Sequence, residues 1–526
     1  MHITASFFYM VSSFPNLNSL LDRLIPKPDT TTTTKQLPRY NLTMIRFSVS
    51  ISYPPLNSTK GSAFLSQNRQ FQWTHTGNII YPVIPASAAT LLDKNNYKVF
   101  WDDAIAEKLS YQKWFNRLIS RHPNLIAIET KTPVVKKHWQ IIKKIKKHLP
   151  ESKIVLMGDH VTALPQESLK NCPVDFILTG GDYDFMLLNL VNHLTKKTKL
   201  EPGFWYRQGK KLDNTGKFTL KHKLDTLPII NRQLTCWQHY SHRNSNFKYR
   251  PGAYTMFGRD CWWGKCSFCS WTTLFPGKCY RHLSVKGAIT EIENLISLGV
   301  REIFDDSGTF PVGDWLHHFC HQIIKKKINQ KVHLGCNMRF NALTQKDYQL
   351  MGQAGFRLVL YGLESANSET LTKINKNTPK RNIEKELFWA KKAGIEPHLT
   401  AIIGYPWESL QDAQKTINLT QNLFKTGLAD SIQATMLVPY PGTPLHRYCQ
   451  KNNLLLTQDY NKFDMSQPVI KSSINPQQQK QLIQNLFKGV LTPSFLVKKL
   501  FSVRNLDDFQ HLSNYAIKFL QKLKDF

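Results

Sequence analysis

The sequence predicts an α/β protein: an N-terminal Rossmann-like parallel sheet, then a partial (β/α)6 barrel, then a helical C-terminal extension. Three observations predict it. Short apolar runs alternate with amphipathic stretches twice along the chain, and strands alternating with helices make βαβ units and parallel sheets. A polar, basic connector broken by Gly and Pro separates the two alternations. The last stretch has helical periodicity and no strand-like run. With 526 residues, 41% hydrophobic and 12% aromatic, the chain has material for two cores and is not a disordered polymer.

The elements follow in order. Residues 1–43 form an atypical tail with a Thr run at Thr30–Thr34 and no sustained period, so Met44 is the expected true start or the preceding segment a loose tail. The first domain spans 44–195. Its strands are expected at IRFSVSISY, KVFWDD, LIAIET, KIVLMG and VDFILTG, and its helices at 86–93, 111–120 and 134–148. Residues 196–250 read as a linker, with LDTLPIINR (224–232) extended rather than part of a core. The barrel spans 251–452. Its strands are expected at 253–257, 302–304, 332–336, 356–361, 397–403 and 431–438, and its helices at 285–298, 314–327, 344–354, 383–393, 409–424 and 444–451. Residues 453–526 form the extension, with helices at 476–490, 492–501 and 506–524. Chemistry in both folds belongs at the carboxyl ends of the strands.

Charge and cysteine usage narrow the function. Lys and Arg number 69 against 37 Asp and Glu, a net charge of +32. Such a balance attracts nucleic acid, anionic lipid or an anionic small substrate. The lysines are dispersed and no basic stripe is interleaved with aromatics, so a solvated basic surface is the favoured reading and nucleic acid is not an expected partner. No run approaches the roughly 20 apolar residues of a membrane helix, so no transmembrane segment is expected. Of nine cysteines three are tightly spaced, which points to a metal site in a reducing, cytoplasmic compartment rather than to disulfides.

The three are Cys261, Cys266 and Cys269 in GRDCWWGKCSFCSW, in the loop after the first barrel strand. Thiolates are the usual ligands of iron–sulfur clusters. Three on a four-iron cube leave one iron open to an amine and a carboxylate. Zinc is the alternative, but a structural zinc takes four ligands. The nearest further candidates, Cys279 and His282, stand at no convincing spacing. Trp262, Trp263 and Trp271 beside the loop serve packing, or exclude water from the cluster and wall a cavity. Gly180 and Gly181 alone mark a tight turn.

The cysteine loop, with Phe268 directly before its last cysteine, resembles the cluster loop of the radical S-adenosylmethionine (SAM) superfamily, with a first spacer of four residues instead of three. The segments EIFDDSGTF (Asp305, Asp306), LGCNMRF (Asn337, Arg339), LYGLESAN (Glu364), AIIGYPWES (Gly404, Glu408) and LVPYPGTPL (439–445) resemble those of its cobalamin-binding members. The similarity implies SAM contacts from Glu364 (ribose), 402–404 (adenine), Arg339 (carboxylate), Glu408 and, where DDSG replaces the family's Gly-Gly-Glu, Asp306 (amine). For Asp305 a helix cap or surface charge is the competing reading. The stretch VLMGDHVTALPQES…VDFILTGGDYDFMLLNL resembles the last third of a cobalamin domain. It implies cobalamin contacts from Gly158, Asp159, His160, Thr162, Gly180 and Gly181. Asp159 and His160 are adjacent, unlike the family's Asp-x-His-x-x-Gly, so His160 is expected to line the corrin or stabilise its loop.

The resemblance covers about residues 45–448. It implies a [4Fe-4S] cluster, SAM and cobalamin, an electron donor such as flavodoxin or ferredoxin, and a small-molecule substrate from which hydrogen is abstracted. Methyl transfer is the favoured outcome. The alternatives are an oxidative cyclase, like the anaerobic cyclase of chlorophyll biosynthesis, or a tRNA-modifying enzyme without bound cobalamin; beyond these stands a non-catalytic corrinoid or metal carrier.

Overall fold

The computed structural model describes residues 46–523 apart from 57, 66–70, 76, 245, 260 and 277–279; the expectations for residues 1–43, Met44 and Cys279 lie outside the described residues. Strand β1 (Ser48–Tyr53) is buried along its whole length, which suits the centre of a sheet covered on both faces. A short antiparallel hairpin, β2 (Ser62–Phe64) and β3 (Gln72–Thr74), follows. Then come β4 (Lys98–Asp103), β5 (Leu125–Glu129), β6 (Lys153–Met157) and β7 (Phe176–Leu178). The parallel order is β4-β1-β5-β6-β7, a doubly wound sheet whose strand order reverses between β1 and β5.

The connector departs from expectation. Residues Phe204–Gln208 (β8) and Lys211–Asn214 (β9) form a hairpin that pairs antiparallel with β7 and extends the sheet to seven strands. Phe204, Trp205 and Tyr206 pair directly with Leu178, Ile177 and Phe176, so the aromatic run continues the ladder while the charged residues crowd the exposed turn. Further on, Leu224, Ile230 and Arg232 are buried. The Arg232 guanidinium donates to the Tyr254 carbonyl (3.0 Å) and to Glu291 (2.6 Å), so this expected linker is part of the second domain's foundation.

The second sheet comprises β10 (Gly252–Thr255), β11 (Glu302–Asp305), β12 (His333–Met338), β13 (Phe356–Glu364), β14 (Glu396–Ile403) and β15 (Ser431–Met436). All six are parallel and lie in sequence order, and β10 and β15 do not pair, so the barrel is open on one side. Helices begin at sequence-legible caps: Ser284 accepts from the Gly287 amide, and Ser409 with Asp412 forms a capping box. Helix Pro476–Val490 buries Leu482, Ile483, Leu486, Phe487 and Val490 and packs on helix Leu410–Lys425. Helices Pro493–Phe501 and Leu506–Leu523 follow. No helix among the described residues is long and apolar enough to cross a membrane.

Candidate functional site

The open barrel encloses a cavity of about 630 Å³, and Cys261, Cys266 and Cys269 all face it. The loop that carries them is placed by short contacts. The Cys261 Sγ lies 3.1 Å from the Thr309 hydroxyl. A Cβ on Gly308 would meet the Cys261 Cβ at 2.9 Å, so only glycine lets the β11 loop come this close. The Ser267 amide donates to the Ile374 carbonyl and Leu445 donates back to the Ser267 carbonyl, which fixes the loop between two others. Burial pushes the Cys266 thiol up to about 12, against the nearby Lys376 ammonium, which pulls it down.

The residues expected at SAM divide. Asp306, Arg339, Glu364 and Ile402 line the cavity with the cysteines. Asn337 Nδ2 donates to Asp306 (3.2 Å), which aims the carboxylate. The Arg339 guanidinium lies 3.6 Å from the centre of the Trp263 ring, so Trp263 holds a cation as well as packing. Glu364 has φ 62°, in the left-handed region, where the β13–β14 register shifts. A bulky residue held there marks stored strain at a strand end. Its carboxylate accepts from the Lys376 ammonium at 3.0 Å, both groups lying over Gly362, where any Cβ would strike them. Gly404 and Glu408 are not among the residues that line the cavity. Gly404 is covered by the Gln479 side chain. Glu408 is buried, accepts from the Ser365 hydroxyl (2.7 Å) and is pushed up to about 7 by that burial. Asp305 is structural: it accepts from the Phe257 and Ser307 amides (2.6 and 3.1 Å) and ties the ends of β10 and β11 together.

The residues expected at cobalamin stand at the ends of β6 and β7 and are engaged with one another. Lys131 and Asp159 form a buried pair at 3.3 Å. Both ring nitrogens of His160 have partners, Thr132 (3.2 Å) and Glu167 (3.0 Å), and Tyr460 lies edge-on to the ring at 4.9 Å. The Thr162 hydroxyl donates to the Gly158 carbonyl and accepts from the Gly180 amide. A Cβ on Gly180 would strike Phe218, and one on Gly181 would strike Phe275. The space left beside Gly181, Tyr183 and Trp271 is about 10 Å³. His160 is thus engaged with Thr132, Glu167 and Tyr460 around its own loop.

A charge network that sequence reasoning missed joins the two mouths. Arg259, two residues before Cys261, forks onto Asp184 with two bonds of 2.8 Å. Arg281 does the same to Asp182 (2.7 and 2.9 Å), and His222 bridges Asp182 (2.8 Å) and Glu201 (3.0 Å). Burial opposes charge on His222, but the two carboxylates outweigh it and raise the ring to about 9. Burial likewise opposes charge on Asp182, yet His222, Arg281 and Arg259 hold it well below the usual carboxylate range. The motif TGGDYD carried this signal; only its glycines were read.

Residues 255–420 match the family profile described as "Radical SAM superfamily". The chain is 28% identical over 426 residues to an uncharacterized methyltransferase of Pyrococcus horikoshii, covering 79% of this chain and 88% of that one. It is 23% identical to the anaerobic magnesium-protoporphyrin IX monomethyl ester cyclase of Cereibacter sphaeroides, over 70% of this chain and 60% of the cyclase. Among solved structures, the radical SAM methyltransferase TsrM from Kitasatospora setae, with cobalamin and a [4Fe-4S] cluster bound, superposes with TM-score 0.64 at 12% identity, over 91% of this chain and 99% of that one. The cobalamin-dependent enzyme OxsB, with aqua-cobalamin and SAM bound, gives 0.66 at 15%, over 92% and 72%.

Proposed function

We propose that this radical SAM protein cleaves SAM reductively at the barrel mouth and abstracts hydrogen from a small molecule in the same cavity. One observation carries the reading: three thiols from a single loop face one cavity together with Asp306, Arg339 and Glu364. Three thiolates suit three corners of a cube, whereas a structural zinc takes four ligands. When bound, a [4Fe-4S] cluster supplies the electron that breaks the carbon–sulfur bond of SAM. The chain's own groups do the rest. Arg339, stacked and held, presents a planar fork to a carboxylate. Asp306 offers an acceptor to an amine, and Glu364 accepts from sugar hydroxyls in place of Lys376. Trp271, Phe304 and Leu360 keep water from the reacting carbon.

The reaction after hydrogen abstraction is read from the relatives. Methyl transfer is favoured by the methyltransferases among them and ring formation by the cyclase. Cobalamin belongs to the first reading. A corrin does not fit the gap of about 10 Å³ between the first sheet's loops and the 271–275 turn as they stand, where Phe275 lies against Gly181.

Anaerobic reconstitution tests the reading. The expected result is about four irons per chain and 5′-deoxyadenosine formed from SAM with an artificial reductant. Loss of both in the Cys261→Ala, Cys266→Ala, Cys269→Ala protein supports it. Full iron and undiminished SAM cleavage in that variant overturn it, and iron without 5′-deoxyadenosine in the parent protein marks a carrier instead.

A further inference from the structure

The C-terminal helix Leu506–Leu523 is mounted with its polar face inward. Asp508, 7% exposed, pairs with Lys248 at 2.6 Å and accepts from the Arg504 amide. Asp507 forks onto Arg301 (2.7 and 3.1 Å). His511 is pushed down to about 3 by burial beside Arg357, which keeps its ring neutral against the barrel floor. Leu512 and Ala516 face the cavity, but three large apolar residues face the other way: Leu506 is 70% exposed, Phe509 59% and Ile517 55%, at helical spacing on one side. The preceding helix adds Val497 (49%), Leu500 (65%) and Phe501 (85%). An amphipathic helix normally buries that stripe; here two consecutive helices leave it out.

We infer that this surface docks the protein on an anionic lipid bilayer. Charge selects the occupant. The chain carries +32, so a second copy would be repelled while an anionic surface attracts it. Residues 491–526 hold six Lys or Arg against three Asp, so apolar and basic residues coincide in one segment, the composition of a helix that lies in the membrane interface. Phe501 and Phe509 are 85% and 59% exposed, and a bilayer receives such rings without a matching surface. The helix is too polar to cross a membrane, so it lies on one.

The test is co-sedimentation of the full chain with vesicles, independent of catalysis. Vesicles of phosphatidylcholine with phosphatidylglycerol should carry the protein down, and high salt should release much of it. The double variant Phe501→Asp, Phe509→Asp touches neither the cysteines nor the cavity. It should keep its circular dichroism and iron content and lose at least about tenfold in vesicle affinity. Failure of the parent to sediment with anionic vesicles, or equal binding by the variant, overturns the inference. So does a concentration-dependent dimer that the variant abolishes, because the face would then be covered by a second copy.

Discussion

The two sheets end in opposite ways. At the carboxyl ends of β10–β15 the loops stand apart around a cavity with three thiols and a buried Glu364–Lys376 pair. At those of β5–β7 the loops close on one another: Lys131 on Asp159, His160 between Thr132 and Glu167, Phe275 against Gly181. Both sheets follow the rule that puts ligands at strand ends, and only one has room for a ligand as it stands. The difference lies in who satisfies the polar groups. In the closed mouth the paired groups meet face to face and fill the space; in the open one the pairs stand around its wall and leave the thiols facing a cavity.

Breaking the hollow mouth should have the largest effect: the triple cysteine-to-alanine protein is expected to lose iron and 5′-deoxyadenosine formation completely, read by iron assay and chromatography. Next is the clamp between the mouths. Asp184→Asn leaves the buried Arg259 charge short of its partner and should cost about 3–5 kcal/mol in urea unfolding. An unchanged midpoint would show that the mouths are not coupled there. Opening the closed mouth comes third. Phe275→Ala should cost about 3 kcal/mol and increase the hydroxocobalamin retained through gel filtration, read from corrin absorption, with iron unchanged. Equal retention would mean that this ring does not guard the space. The smallest effect is on pH. His222 is raised from 6.5 to about 9, so its contribution is complete below about pH 6.5 and is lost as pH rises through about 9. Between pH 7 and 10 the parent should lose on the order of 2 kcal/mol more than His222→Gln.

Much of this was legible in the sequence. The alternation of apolar runs located all six barrel strands within three residues at each end; β13 runs on to Glu364 because the bulge there keeps it paired past Tyr361. The cysteines were legible because a single loop carries them. The hairpin β8–β9 was missed because charge at its turn masked the FWYRQ alternation. Lys376, Gly308 and the Arg259–Asp184 fork were missed for another reason. Gly308 and Arg259 act on partners far along the chain, and Lys376 reaches Glu364 across the segment after β13, meetings that no local spacing announces. Glu408 was drawn to SAM by resemblance alone, and its carboxylate accepts from the Ser365 hydroxyl, a partner that no local spacing announces.

β10 and β15 do not pair, and part of the cavity wall is built from Gln72 and Trp73 of the β2–β3 hairpin and from Asn78 and Ile80 after it, all outside the barrel's ladder. Replacing those side chains leaves every barrel strand pairing intact. Selection can therefore reshape the cavity through this detachable panel, while the frame that holds the thiols stays untouched.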